Sequence, residues 1–184
     1  MRNLSPLTGL PGNIRIQEEI ERMVREENPF AVLYSDLDNF KAYNDQKGFV
    51  RGDRLIQATA RVIQDAVVEF AGSDGFVGHV GGDDFVAITA PEVAEDVAKR
   101  IVERFDGDVP EFYEDEDLQR GYVEVEDRKG VLQKLPLVGV SIGIATTTTR
   151  RFAHYGEAVA VATEMKQFAK RQSGSSYAID RRSS

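Results

Sequence analysis

Residues Gly75–Thr89 read GFVGHVGGDDFVAIT. Two β-rich apolar runs, Phe76–Val80 and Phe85–Thr89, flank Gly81-Gly82-Asp83-Asp84. A pair of glycines is what a tight hairpin demanding positive φ selects. The stretch is therefore an antiparallel strand pair carrying two carboxylates at its turn. Upstream, Phe30-Ala31-Val32-Leu33-Tyr34 is another β-rich run, set off by Pro29 and ending in Ser35-Asp36-Leu37-Asp38. That pattern is a buried strand emerging into acid at its C-terminal end. Asp36 and Asp38 are two apart, so on an extended strand they point to the same side.

Helical periodicity fills the spaces between. Residues 53–70 carry Leu55, Ile56, Thr59, Val62, Ile63, Ala66, Val67 and Phe70 as one apolar stripe. Residues 14–27, with Ile16, Ile20, Met23 and Val24, form an earlier helix behind a Pro/Gly-punctuated lead-in (1–13), with Asn13 as its N-cap. Residues 92–105 form a third, through Val93, Val97, Ile101, Val102 and Phe105. A strand at 137–145, a helix at 156–171 and a short strand at 177–179 complete the chain. The order β-α-β-β-α-β predicts an α/β (α+β) fold of the ferredoxin-like split-βαβ kind, a central antiparallel sheet flanked by helices. Residues 106–135 differ: the acidic cluster Glu111–Asp117 precedes the alternating Tyr122-Val123-Glu124-Val125-Glu126. We read this part as a surface excursion with the acidic run as a solvated face. The chain 1–184 reads as one domain.

Composition narrows the chemistry. Of 184 residues, 23 are Lys or Arg and 31 Asp or Glu, a formal net charge of −8. Such a chain is ill suited to gripping a nucleic acid polymer, which needs many cationic phosphate contacts, but it can hold a small anion through a bridging cation. With no cysteine and only two histidines, disulfides, thiolate zinc sites, Cys nucleophiles and His-based triads are excluded or disfavoured. No apolar run is long enough to span a membrane and no signal peptide pattern opens the chain, so a cytoplasmic domain without membrane contact is expected. Asp36, Asp38, Asp83 and Asp84 converging at one sheet edge repel unless a cation neutralises them. Oxygen ligands without Cys or His select Mg²⁺ or Mn²⁺, and two such ions suit in-line phosphoryl or nucleotidyl transfer.

At this point the residues resemble a known family. Leu7-Thr8-Gly9-Leu10-Pro11, Asp36-Leu37-Asp38-Asn39-Phe40-Lys41, Asn44-Asp45, Gly48, Gly52-Asp53, the signature Gly81-Gly82-Asp83-Asp84-Phe85 and Ser141-Ile142-Gly143-Ile144-Ala145 occur in the order and spacing of the GGDEF domain of diguanylate cyclases. The resemblance runs from Pro6 almost to Ser176. It implies a palm-like, nucleotide-cyclase-like sheet and condensation of two GTP into cyclic di-GMP plus two pyrophosphates across a homodimer. It also implies Mg²⁺ (or Mn²⁺), two per active site, and an upstream sensor or receiver domain, the chain 1–184 then being a piece excised from a longer multidomain signalling protein. Carried over residue by residue, Asp36, the Leu37 carbonyl, Asp83 and Asp84 are the metal ligands. Asp83 also takes the 3′-hydroxyl proton, and Lys41 offsets developing phosphate charge. Asn44 and Asp53 read guanine, Gly81 and Gly82 admit the nucleotide closely, Phe40 joins the substrate site, and Lys170 binds the triphosphate.

The chain departs from the pattern at several positions. Ser5 stands where the opening motif has Asp, which implies weaker coupling to an upstream sensor. Phe49 replaces a His and reads as core or lid packing. His79 replaces an Arg and reads as a strand residue packing its ring. Asp84 replaces the commoner Glu, one methylene longer. Ser173-Gly174-Ser175-Ser176 replaces Gly-Arg-Asn. Gly72-Ser73-Asp74-Gly75 stands where an inhibitory product site has Arg-x-x-Asp, so product inhibition of the usual kind is not expected. Two alternatives follow: a degenerate domain that binds GTP or a cyclic dinucleotide without turnover, and a cyclase of altered base choice.

Overall fold

The computed structural model describes residues 4–183. In chain order the elements are α1 (Asn13–Arg25), β1 (Ala31–Asp38), α2 (Phe40–Lys47), α3 (Phe49–Ala71), β2 (Phe76–Gly81), β3 (Asp84–Thr89), α4 (Pro91–Asp108), α5 (Asp115–Arg120), β4 (Tyr122–Glu126), β5 (Leu132–Pro136), β6 (Gly139–Thr146), α6 (Tyr155–Ala169) and β7 (Ser176–Ile179). Short 3₁₀ turns occupy Gly72–Asp74 and Val109–Phe112. Five strands form the central sheet in the order β2-β3-β1-β6-β7. All pairings are antiparallel except β6 with β7. The four strands β2-β3-β1-β6 are the ferredoxin-like arrangement that the element order predicts, and β7 extends it.

Strand alternation sorts the side chains into two cores. Ala31, Leu33 and Leu37 of β1 join Leu55, Ile63, Val97 and Ile101 on the α3/α4 face. Val32 joins Ile16, Ile20, Ala158 and Ala162 on the α1/α6 face. By the same parity Tyr34, Asp36 and Asp38 belong to the α6 side, and all three are only partly buried. Helix α6 comes unusually close to the sheet at Gly143: a Cβ there would lie 2.0 Å from the Ala162 carbonyl oxygen and 2.1 Å from the Lys166 nitrogen. Only glycine permits that approach.

Several expectations need correction. Gly12, not Asn13, occupies the N-cap position of α1, and Asn13 is the first helical residue. Helix α3 starts four residues before the predicted 53, and α2, a separate eight-residue helix, precedes it. Gly48, at φ +90°, closes one and opens the other. Phe49 is not core packing: it is 77% exposed. The acidic run is not simply a solvated face, since Asp117 is buried against Lys47, 2.6 Å away, and Lys47 also pairs with Glu114. Strands β4 and β5 form their own two-stranded sheet, anchored through Val123 in the α3/α4 core.

Candidate active site

Strand β1 and the β2–β3 hairpin deliver the acid cluster. Ser35 pairs in register with Phe85, so Asp36 lies at the level of the hairpin turn, where Gly81 (φ +155°) and Gly82 (φ +53°) bend the chain. One carboxylate oxygen from each of Asp36, Asp83 and Asp84 lies within 4.8 Å of the other two. Ligands on opposite sides of a magnesium ion stand roughly 4.2 Å apart, twice the Mg–O distance, so slight side-chain movement lets these three share one ion. The hairpin is tied to β1 by the Leu37 N–H, which donates to Asp83 Oδ2 at 2.9 Å. Tyr34 donates its hydroxyl to Asp84 Oδ2 at 3.2 Å. Burial pushes the Asp84 carboxyl above its ordinary range; Lys166 opposes that shift, and the Asp83 and Asp36 charges add to it. Burial and the neighbouring Asp84 likewise push the Tyr34 hydroxyl up.

Asp38 is engaged elsewhere. It accepts from Ser141 Oγ and from Lys170 Nζ, each at 2.7 Å, and it stands outside the triad. Lys170 Nζ also lies 2.6 Å from Asp36 Oδ1, an ion contact without directed hydrogen-bond geometry. Burial works against the Lys170 charge, but the two carboxylates outweigh it and raise the ammonium above its ordinary value. Beside this pair a cavity of about 300 Å³ is lined by Asp38, Asn39, Gly139, Lys170, Ser173 and Gly174. A larger hollow, about 600 Å³, lies around Phe30, Thr147 and Phe152 at the far end of β1. It is remote from the acids, so volume alone does not locate the chemistry.

The remaining candidates are placed unevenly. Asn44 sits on α2 beside Gly52 of α3, so close that a Cβ on Gly52 would stand 1.7 Å from Asn44 Oδ1 and 3.4 Å from the Phe40 ring. Asn44 Oδ1 is buried against Gly52 without a hydrogen-bond partner among the described residues. Asp53 is exposed in the first turns of α3. Lys41 is not brought to the acids: its side chain is 90% exposed and pairs with Asp45 one turn along α2.

Two features escaped the sequence reading. Lys166 is buried and holds Asp36 Oδ2 at 3.1 Å; its signal was a lysine in register with Ala158 and Ala162 on an otherwise apolar helix stripe. His79 packs flat on Phe85, ring centroids 4.6 Å apart, as a strand residue packing its ring should. It also joins Ser5 to the hairpin: Nδ1 is 2.7 Å from Ser5 Oγ and 3.1 Å from Thr8 Oγ1, and Nε2 is 2.8 Å from the Gly82 carbonyl oxygen.

With this geometry in place, comparison with known proteins settles the family. The profile described as "Diguanylate cyclase, GGDEF domain" matches residues 3–176. The chain belongs to the GGDEF domain family. An "Uncharacterized signaling protein" of Caulobacter vibrioides is 35% identical over 113 residues, 56% of this chain and 14% of that protein. The "Bifunctional diguanylate cyclase/cyclic di-GMP phosphodiesterase MucR" of Pseudomonas aeruginosa is 34% identical over 105 residues, 53% of this chain and 15% of that protein. This GGDEF domain thus spans about a seventh of the length of these relatives. The crystal structure of the GGDEF domain of DgcB from Caulobacter crescentus, in complex with c-di-GMP, superposes with a TM-score of 0.69 at 22% identity, covering 96% of this chain and 95% of that one. That likeness is one of fold: a mixed α/β domain with a central sheet between helices. Among the described residues no helix is long and apolar enough to cross a membrane.

Proposed function

We propose that this domain is a diguanylate cyclase that condenses two GTP into cyclic di-GMP and two pyrophosphates across a homodimer. The observation that supports it is the gathering of Asp36, Asp83 and Asp84 oxygens within 4.8 Å at one rim of the sheet. In each half-reaction the 3′-hydroxyl oxygen of one GTP attacks the α-phosphorus of the other. The bond from that phosphorus to the β-phosphate bridging oxygen breaks, and pyrophosphate leaves. Asp83 takes the 3′-hydroxyl proton, and its tie to the Leu37 N–H fixes where it stands. Asp36, Asp84 and the Leu37 carbonyl complete the ligand set for Mg²⁺ or Mn²⁺, two per active site, which when bound supplies charge neutralisation at the phosphates. Asn44 and Asp53 read the guanine, with Phe40 alongside; the orphan Asn44 Oδ1 takes one of the base N–H groups. Gly81 and Gly82 let backbone approach the nucleotide. Lys170, at the edge of the 300 Å³ cavity, moves from Asp36 and Asp38 to the triphosphate, and Lys41 swings in from solvent.

In this reading the domain is the cytoplasmic output module of a longer chain whose sensor or receiver lies upstream, with no nucleic acid polymer or membrane among its partners. A second reading, a domain that binds GTP or a cyclic dinucleotide without turnover, is favoured by Lys41, whose charge faces solvent and Asp45. One assay decides between them. Micromolar protein is incubated with GTP and Mg²⁺ or Mn²⁺, and products are separated by chromatography. Cyclic di-GMP from the wild type and at least ~100-fold less from Asp83→Asn is expected. GTP binding by a confirmed dimer without product would establish the sensor instead, and equal competition by ATP would overturn the guanine assignment.

A further inference from the structure

The proposed reaction assigns no task to the most deeply buried cation near the acids. Lys166 lies on α6 one turn before Lys170, and its side chain is 6% exposed. Its ammonium stands 3.1 Å from Asp36 Oδ2 and 4.6 Å from the centroid of the Tyr34 ring. Both neighbours are on the α6-facing side of β1. The match is geometric: four helix residues rise about 6 Å and two strand residues about 6.7 Å, so Lys166 and Lys170 track Asp36 and Asp38. Gly143 makes the match possible by letting α6 settle onto β6, with the Lys166 nitrogen itself at the contact. The two lysines differ in freedom. Lys170 is 27% exposed and borders a cavity, so it can leave; Lys166, 6% exposed and set against the Tyr34 ring, is held in place.

Charge arithmetic then bears on the metal. Asp36, Asp38, Asp83 and Asp84 bring four negative charges, and Lys166 and Lys170 return two. The substrate-free cluster is left with −4 + 2 = −2, the complement of a single divalent ion. We infer that Lys166 is a built-in counter-ion that restricts the nucleotide-free site to one divalent cation, the second entering only with the charge of a triphosphate. This inference rests on the cyclase reading of the site but concerns the protein before any nucleotide arrives.

The test counts ions on the full chain without nucleotide, by Mn²⁺ titration followed by electron paramagnetic resonance and calorimetry. Wild type is expected to take one Mn²⁺ per chain. Lys166→Met, which keeps the stem and removes the charge, is expected to take a second, or to hold the first at least about tenfold tighter, because a positive charge touching a ligand carboxylate is gone. Its melting temperature in chelator is expected to fall and to recover on adding Mn²⁺, since paired carboxylates lose their internal partner. Lys166→Arg should behave as wild type in both readouts, and it covers the case in which the methionine variant folds poorly. Two ions on wild type, unchanged stoichiometry and affinity in Lys166→Met, or no Mn²⁺ on either protein would each overturn the inference. Its failure is distinguishable from failure of the cyclase reading: a wild type that forms cyclic di-GMP, paired with a Lys166→Met variant whose Mn²⁺ binding is unchanged, sinks only the counter-ion role. A Lys166→Met gain of Mn²⁺ in a protein that never turns over GTP sinks only the cyclase.

Discussion

The Ser5 hydroxyl and His79 Nδ1 lie 2.7 Å apart, and the opposite ring nitrogen reaches the Gly82 carbonyl at 2.8 Å. A carbonyl can only accept, so Nε2 carries a proton, and in the neutral ring Nδ1 accepts from the Ser5 hydroxyl. One imidazole thus connects the N-terminal segment to the glycine hairpin that presents Asp83 and Asp84. Two departures from the family pattern that look independent in sequence are one contact in space.

His79→Ala should therefore destabilise the domain by roughly 2–3 kcal/mol, through a lost aromatic stack and an unsatisfied carbonyl. Ser5→Ala should cost about 1 kcal/mol. Urea denaturation of both single variants and the double variant forms a cycle, and a coupling energy of zero would show that the two side chains do not act together.

Gly52→Ala tests the seat of Asn44. The added methyl would collide with the Asn44 amide, the end of a side chain that can swing aside, whereas the backbone of α3 has no reason to move. The expectation is a KM for GTP raised about tenfold or more, with a melting temperature within a few degrees of wild type. An unchanged KM would remove Asn44 from the substrate site.

The Lys47–Asp117 pair joins α2 to α5. Both side chains are nearly inaccessible, so Lys47→Met leaves Asp117 with Arg120, 2.8 Å away, as its remaining cation and should cost roughly 2 kcal/mol. Glu114, bonded to Arg51 and Lys47, is held down at about 2 from an ordinary 4.5. A carboxyl depressed in the folded state stabilises above its unfolded value and loses that contribution as pH falls towards the folded one. Thermal melts between pH 5 and pH 2 should show a decline that is shallower in Glu114→Gln. The difference is small because Glu114 is half exposed and water screens it. Identical slopes would remove Glu114 from the acid response.

Product feedback should be missing. Gly72–Asp74 is a 3₁₀ turn followed by Gly75, with no arginine in the four positions. Initial rates measured with and without added micromolar cyclic di-GMP should agree, and strong inhibition would reveal a product site built from other residues.

Much of this was legible in the residues because period and punctuation carried it. The β1 run, the glycine hairpin and the long stripe of α3 declare themselves, and the parity of Asp36 with Asp38 places both on one face. What could not be read came from contacts between distant segments. Helix α2 buries only Ala42 and Tyr43, too few for a stripe, and its end is set by the positive φ of Gly48. Asp117 looked like one more surface acid because its partner, Lys47, is 70 residues away. Lys166 drew no attention in the sequence because its burial depends on Gly143, which lets α6 come down onto the sheet.

The alternation along β1 also limits how the domain can vary in length. Inserting or deleting one residue between Ala31 and Tyr34 would turn Asp36 and Asp38 into the hydrocarbon beneath α3 and α4 and leave Leu37 facing two ammonium groups. The tip joining β4 to β5 carries no such constraint, since it belongs to a separate two-stranded sheet. Indels and peptide tags should therefore be accepted at that tip and rejected in the strand, a gradient that a transposon insertion library would map directly.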